Sequence, residues 1–309
     1  MIVSHLKRGE RISERVWRIL SCPYCNAAIM RQEDGAACAR CGEQFKYTKS
    51  GQLDLRLRRD KPVQVKILIN EKWPSRDLNF NPLRTKFNPE VNFDGMHIPR
   101  HLNEKILSHF PKAKGQDSLV LDLGCGERIH REACERAGFE YVGLDINSEE
   151  ADILGDAHAL PFADDSFEFI MCIAVLEHTK YPEVVMREAR RVLESGGEMI
   201  GSVAFLEPFH DSFNHLSHLG VANILESTDF TIEQIPPSRE WSVLTANANA
   251  LFPNAPLSVS RTLILPLYLM HRAWWKVGHL VTRHEKASEQ YRLLSTSGAF
   301  TFIVRKSSE

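Results

Sequence analysis

A chain of 309 residues, 43% hydrophobic and 25% charged, has the composition of an ordinary globular protein with room for one large domain and a small one. A net charge of −2 excludes a molecule built as a whole to bind polyanions. The charge is uneven, because residues 1–72 hold 15 Lys and Arg against 8 Asp and Glu while the remainder hold 23 against 32. That basic front reads either as a solvated face or as a surface for an anionic partner.

Met1–Glu10 is charged and no long apolar core follows it, so no signal peptide is expected. The longest strongly apolar run, Thr262–His271, falls short of the ~20 residues of a membrane span. The expectation is a cytoplasmic chain with its cysteines mostly reduced.

Cys22, Cys25, Cys38 and Cys41 form two C-x2-C knuckles. This spacing matches a closed four-thiolate Zn²⁺ site, which is structural because no coordination position remains for a substrate. Glu43–Arg58 alternates apolar and polar residues through a Ser-Gly turn and predicts two short strands. Residues 59–100 are broken by Trp73-Pro74, Asn81-Pro82, Asn88-Pro89 and Ile98-Pro99. A strand is expected at Val63–Ile69, and a helix from Pro99 to Phe110 with Leu102, Ile106 and Phe110 on one face.

Ser118–Gly126 (SLVLDLGCG) reads as a buried strand, an acid and a glycine turn, with a helix over Glu127–Ala137. The next strands are Glu140–Asp145, a short one ending at Leu154–Ala157, Phe167–Ile173, Glu198–Ala204, Phe230–Ile235 and Ala299–Arg305. Helices are expected at Pro182–Leu193 and Leu216–Thr228. This alternation predicts a doubly wound α/β sheet. Between the last two strands, Trp241–Gly298 is an insertion whose helix, Pro266–Val281, is rich in Leu, Met and Trp. It reads as a lid over an apolar substrate, a surface resting on a membrane, or a packing face.

The glycine turn fails the dinucleotide fingerprint, because its sixth position is Ile129. Asp122, two residues before Gly124, favours a ligand with a positive centre over a pyrophosphate. Asp145 ends the second strand, where an acid accepts hydrogen bonds from ribose hydroxyls.

The stretches VLDLGCG (120–126), GLDI (143–146), GDAHALPFADDSFEFI (155–170), VLEH (175–178) and REARRVLESGGEMI (187–200) stand in order. Together they resemble the class I S-adenosylmethionine-dependent methyltransferases, in particular the branch with quinone-type and other small-molecule enzymes. The resemblance implies a Rossmann-like seven-stranded sheet of order 3-2-1-4-5-7-6, preceded here by a small N-terminal zinc ribbon. It implies Asp122, Gly124, Cys125 and Gly126 along the methionine part of the cofactor and Asp145 on the ribose. Ile146 would pack on the adenine, Asp156 and Ala157 would meet its edge, and Ile173 and Ala174 would line the floor below the sulfonium. Many members carry a glycine where this chain has Arg128.

The expected organisation is a zinc ribbon over 20–60, a linker and pocket-capping segment over 61–100, and a methyltransferase domain over 101–309 with an insertion at 241–298. Catalytic candidates are His178 and His210, at the C-terminal ends of strands where this architecture places its ligands. His215 and His218 follow His210 closely. The acceptor is expected to be a small molecule or a lipid- or glycan-linked group, with peripheral membrane contact through 261–283. Two alternatives stand beside it: an rRNA or tRNA base methyltransferase using the ribbon, and a non-catalytic S-adenosylmethionine-binding scaffold.

Overall fold

The computed structural model describes residues 11–65, 78–206, 211–238, 242–282 and 289–308. A ribbon comes first: helix α1 (Glu14–Ile19), then strands β1 (Ile29–Gln32), β2 (Gly35–Cys38), β3 (Gln44–Tyr47) and β4 (Leu53–Asp54). The core follows as α2 (Glu104–Leu107), β5 (Leu119–Leu123), α3 (Arg131–Arg136), β6 (Glu140–Asp145), β7 (Ile153–Leu154), β8 (Phe167–Ile173), α4 (Pro182–Val192), β9 (Leu193–Ala204), α5 (His218–Ser227) and β10 (Phe230–Gln234). Three helices, α6 (Val243–Leu251), α7 (Leu257–Thr282) and α8 (Glu289–Thr296), precede the last strand, β11 (Ala299–Lys306).

The core strands lie in the order β7-β6-β5-β8-β9-β11-β10, which is the expected 3-2-1-4-5-7-6. β11 runs antiparallel to both its neighbours. The expected count of seven strands needs correcting to eleven, because the ribbon continues the same sheet as β1-β2-β3-β4. The join is β4 beside β7, parallel, with Leu53 opposite Ile153 and Asp54 opposite Leu154.

β5 and β8 are buried along their whole length, as central strands of a two-faced sheet must be. Alternate residues of β5 go to opposite faces. Leu119, Leu121 and Leu123 join the cluster containing Val185, Met186 and Ala189 of α4. Val120 joins the other, with Ile106 of α2 and Cys134 of α3. Each fully buried Leu or Phe in these layers stabilises the fold by roughly 1.5–3 kcal/mol relative to exposure.

Side-chain caps fix several helix starts. Ser13, Asn103, Ser217 and Ser242 accept from the backbone N–H groups of Val16, Ile106, Gly220 and Thr245. Asn103 as cap explains why α2 starts five residues after the expected Pro99, although Leu102, Ile106 and Phe110 are all buried as the pattern required. α3 also begins later than expected, since Arg128 takes a left-handed φ of 59° that breaks a helix running from Glu127. α4 ends at Val192, one residue before the expected Leu193. Leu193 already pairs with Phe167, the next pair is Phe169 with Glu198, and the intervening Ser195–Gly197 is accommodated as a bulge. The strand expected at Val63–Ile69 has no strand at residues 63–65, and its remainder lies outside the described residues, as does Trp73.

Candidate functional site

The turn after β5 is laced to the end of β6. Gly124 and Cys125 donate their backbone N–H groups to Leu144 O at 2.8 and 3.1 Å. Gly126 donates to Asp145 Oδ2 at 3.1 Å, and Asn147 and Ser148 donate to Oδ1 at 2.8 and 2.9 Å. Gly124 has a φ of 71°, and a Cβ there would fall 2.5 Å from Val175 Cγ2, so the turn admits no side chain. Two positions after Gly126, Arg128 keeps the left-handed backbone conformation that glycine favours, with a φ of 59°. Arg128 holds it through an ion pair to Asp152 at 2.8 Å and a guanidinium set 5.2 Å from the Tyr141 ring centroid.

Asp122 is 1% exposed. Its Oδ2 accepts from Tyr141 Oη at 2.7 Å and lies 3.4 Å from His130 Nδ1. Its Oδ1 is buried with no donor among the described residues, and an ammonium group is the chemistry that fits such an acceptor. Cys125 turns its thiol inward, where burial, with nearby Asp122 and other acids, pushes its pKa upward, so only its backbone faces the turn.

Beyond β6, Ile146 is 46% exposed, an apolar side chain open for a ring to pack on. Asp156 Oδ1 accepts the His158 backbone N–H at 2.9 Å and meets His158 Nδ1 at 2.7 Å. Burial alone would raise its carboxyl, but these hydrogen bonds hold it below the ordinary value. Ala157 is half-buried beside it. At the end of β8, Ile173 is buried in the core, whereas Ala174 sits at a positive φ of 56° and lines a cavity of about 570 Å³.

His178 lines the same cavity, with Nδ1 2.7 Å from Asp211 O. The other described histidines of the expected group are elsewhere. His215 Nδ1 is 2.8 Å from Phe205 O. The His218 ring lies between Phe80 and Phe300, where burial lowers its pKa. His210 lies outside the described residues. The sequence pattern missed Tyr141 and His130 as partners of Asp122, since nothing marks them apart from their place opposite the strand end. It also missed Arg100, Lys105 and Arg261 as cavity-lining cations. Arg261 is too far from Arg100 and Lys105 in the chain for any motif to join the three.

In the ribbon, the ligand atoms of Cys22, Cys25, Cys38 and Cys41 lie within 4.8 Å of one another. Cys22–Cys41 and Cys25–Cys38 are each 3.5 Å apart, far too long for a disulfide. Zn–S bonds of ~2.3 Å in a tetrahedron put sulfurs about 3.8 Å apart, so the cluster fits Zn²⁺. Asn26 and Gly42 close the two knuckles by donating to Cys22 O and Cys38 O. The ribbon reaches the core beyond its strands. Leu55 donates to Leu154 O at 2.8 Å, Ser21 to Pro161 O at 2.9 Å, and Arg56 Nη1 to Ile146 O at 3.2 Å.

The strand order, the antiparallel β11 and the glycine turn define a Rossmann-like α/β fold of the class I methyltransferase type. Residues 121–201 match the family model described as "Methyltransferase domain". The matched segment lies within a sheet of the class I S-adenosylmethionine-dependent methyltransferase order, and the chain resembles that family. An uncharacterized protein of Methanocaldococcus jannaschii is 30% identical over 137 residues, which cover 42% of this chain and 56% of that protein. An uncharacterized methyltransferase of Mycobacterium marinum is 32% identical over 113 residues, covering 32% of this chain and 44% of that protein. The phosphoethanolamine N-methyltransferase 2 of Haemonchus contortus, solved with S-adenosyl-L-methionine, is 16% identical at a TM-score of 0.40, covering 66% of this chain and 51% of that one. The chain spans about half the length of the curated relatives it matches.

Proposed function

We propose that this protein is an S-adenosylmethionine-dependent methyltransferase whose acceptor is a small molecule or a lipid- or glycan-linked group. The observation that carries this reading is a convergence at the C-terminal ends of β5, β6 and β8. There the Gly124–Gly126 turn and the Asp145 carboxylate meet one end of the sheet from which Ala174 opens into the 570 Å³ cavity. Bound there, S-adenosylmethionine supplies a methyl group already activated by its sulfonium. The bare backbone of Gly124, Cys125 and Gly126 takes the methionine part, and Asp122 Oδ1 accepts from its ammonium. Asp145 receives the ribose hydroxyls, Ile146 the adenine face, and Asp156 and Ala157 its edge. Ala174 forms the floor, backed by the buried Ile173. Most of the chain's contribution is to hold a nucleophile in line with that methyl group.

Where the nucleophile is an oxygen or nitrogen, a base must take its proton. His178, on the cavity wall, is the candidate for this role. A carbonyl oxygen only accepts, so the bond to Asp211 O puts the ring proton on Nδ1 and leaves Nε2 as the basic nitrogen. His210 remains a second candidate from sequence. Cys22, Cys25, Cys38 and Cys41 hold a structural Zn²⁺.

Peripheral membrane contact through 261–283 belongs to the same reading. Leu263, Leu267, Met270, Trp274, Val277 and Val281 recur along α7 at three- and four-residue steps, and each is 48% exposed or more. α7 contains no Asp or Glu, and carries Arg261, Arg272 and Lys276. Such a face suits an anionic bilayer surface. Among the described residues no helix is long and apolar enough to cross a membrane.

The RNA-modifying alternative ranks second because much of the basic front is already neutralised. Arg31 pairs with Glu14, Arg15 with Glu140 and Asp117, Arg56 and Arg58 with Asp54, and Arg59 with Glu43. Incubation with labelled S-adenosylmethionine and fractionated cell extract tests the reading. Label in lipid or small-molecule fractions is expected. Label in RNA transfers the proposal to the alternative, and label in no fraction leaves the scaffold.

A further inference from the structure

The 570 Å³ cavity has an electrostatic character that the methyltransferase reading does not require. Three permanent cations are among the described residues that line it, from two separate parts of the chain: Arg100 just before α2 and Lys105 within it, and Arg261 near the start of α7. Glu177 is the one carboxylate among the described residues that line it. That carboxylate is fully buried and committed to the fold, its Oε1 accepting the Ala204 backbone N–H at 2.9 Å.

Of the three, only Arg100 has an ion-pair partner among the described residues, and that contact is long. Arg100 comes no nearer than 4.0 Å to Glu127, with both side chains almost fully in water. Lys105 and Arg261 have no ion-pair partner among the described residues. This contrasts with the ribbon, where arginine after arginine meets a carboxylate. Cations gathered around one apolar-walled volume repel one another, and a bound anion turns that repulsion into attraction. The volume lies in the range of small-molecule pockets, and these fix a ligand's orientation with a few polar groups on apolar walls. Ala174 and His178 lie on the same cavity's wall.

We propose that this cavity takes an acceptor bearing an anionic phosphate or carboxylate, held by Arg100, Lys105 and Arg261 while an apolar body fills the remaining volume. The inference rests on the methyltransferase reading for the word acceptor, and on the cavity alone for the ligand class.

Calorimetric titration of the full chain with octyl phosphate, octanoate, octanol and inorganic phosphate, all below micellar concentrations, tests it. S-adenosylhomocysteine is titrated in parallel, so that failure of cofactor binding is seen separately from failure of the cavity. Octyl phosphate or octanoate is expected to bind at least tenfold more tightly than octanol and than inorganic phosphate. Lys105→Gln and Arg261→Gln should each weaken that binding at least fivefold, with S-adenosylhomocysteine affinity and melting temperature unchanged. Equal binding of octanol would remove the anion from the proposal. Inorganic phosphate binding as tightly as octyl phosphate would remove the apolar body. Anion binding unaffected by either variant would place the site elsewhere.

Discussion

The Asp145 carboxylate accepts the Gly126 backbone N–H at 3.1 Å, tying the end of β6 to the turn that follows β5. With the N–H groups of Asn147 and Ser148 on its other oxygen, this carboxylate organises both loops that would meet a nucleoside. A carboxylate offers about four acceptor positions, so three backbone donors leave capacity for a ribose hydroxyl. The turn is therefore held in shape by the chain itself.

Arg128 tests how that shape is kept without a glycine. Its φ of 59° costs a non-glycine residue about 1–2 kcal/mol. Arg128→Gly and Arg128→Ala both lose the Asp152 ion pair, but only glycine relieves the backbone. The glycine variant should be the more stable of the two by roughly 1 kcal/mol in urea denaturation. Burial pushes the Asp152 carboxyl up from 3.8 to about 6 against the pull of Arg128. A carboxyl whose folded value is raised costs stability progressively as pH rises through that interval. Without Arg128 the folded value climbs further, so both variants should fall further behind the parent at pH 8 than at pH 5.

Gly201 lies directly opposite Phe302 in the β9–β11 pair, and a Cβ there would meet the ring at 2.0 Å. Gly201→Ala should cost about 1–3 kcal/mol through overpacking. Phe302→Leu in that background should recover part of the loss, measured by the denaturation midpoint.

Because β4 is hydrogen-bonded to β7, removing zinc should be felt in the core sheet. Chelation, or Cys38→Ser, is expected to raise amide exchange at Leu55 and Ala163, whose N–H groups bond to Leu154 O and Ile19 O. Unchanged protection there would mean that the ribbon is held without its metal.

For α7, co-sedimentation with phosphatidylserine vesicles should exceed that with phosphatidylcholine vesicles. Trp274→Glu, at a position 76% exposed, should abolish it without lowering the melting temperature.

The sheet was legible in the sequence where strands are buried on both faces. Phe167–Ile173 and Glu140–Asp145 were found at their observed bounds because continuous apolar runs between turn residues have few other uses. The junction of β4 with β7 was not legible, since parallel pairing of two short strands is made by backbone groups that leave no mark on residue type. The late start of α3 was hidden for a related reason, because an arginine rarely signals a left-handed residue. Within the site, the glycines and Asp145 stood out by spacing. The burial of Asp122 against Tyr141 depends on tertiary contact across the sheet. Arg261 reaches the cavity of Arg100 and Lys105 only through the tertiary placement of the start of α7.

Calorimetric titration of S-adenosylmethionine into the parent chain and Asp145→Asn, with circular dichroism confirming that both are folded, tests the cofactor assignment on which the proposed function rests. One-to-one binding by the parent, weakened at least tenfold in Asp145→Asn, is expected. A folded parent chain that binds no S-adenosylmethionine, or a variant that binds it equally well, would contradict the assignment.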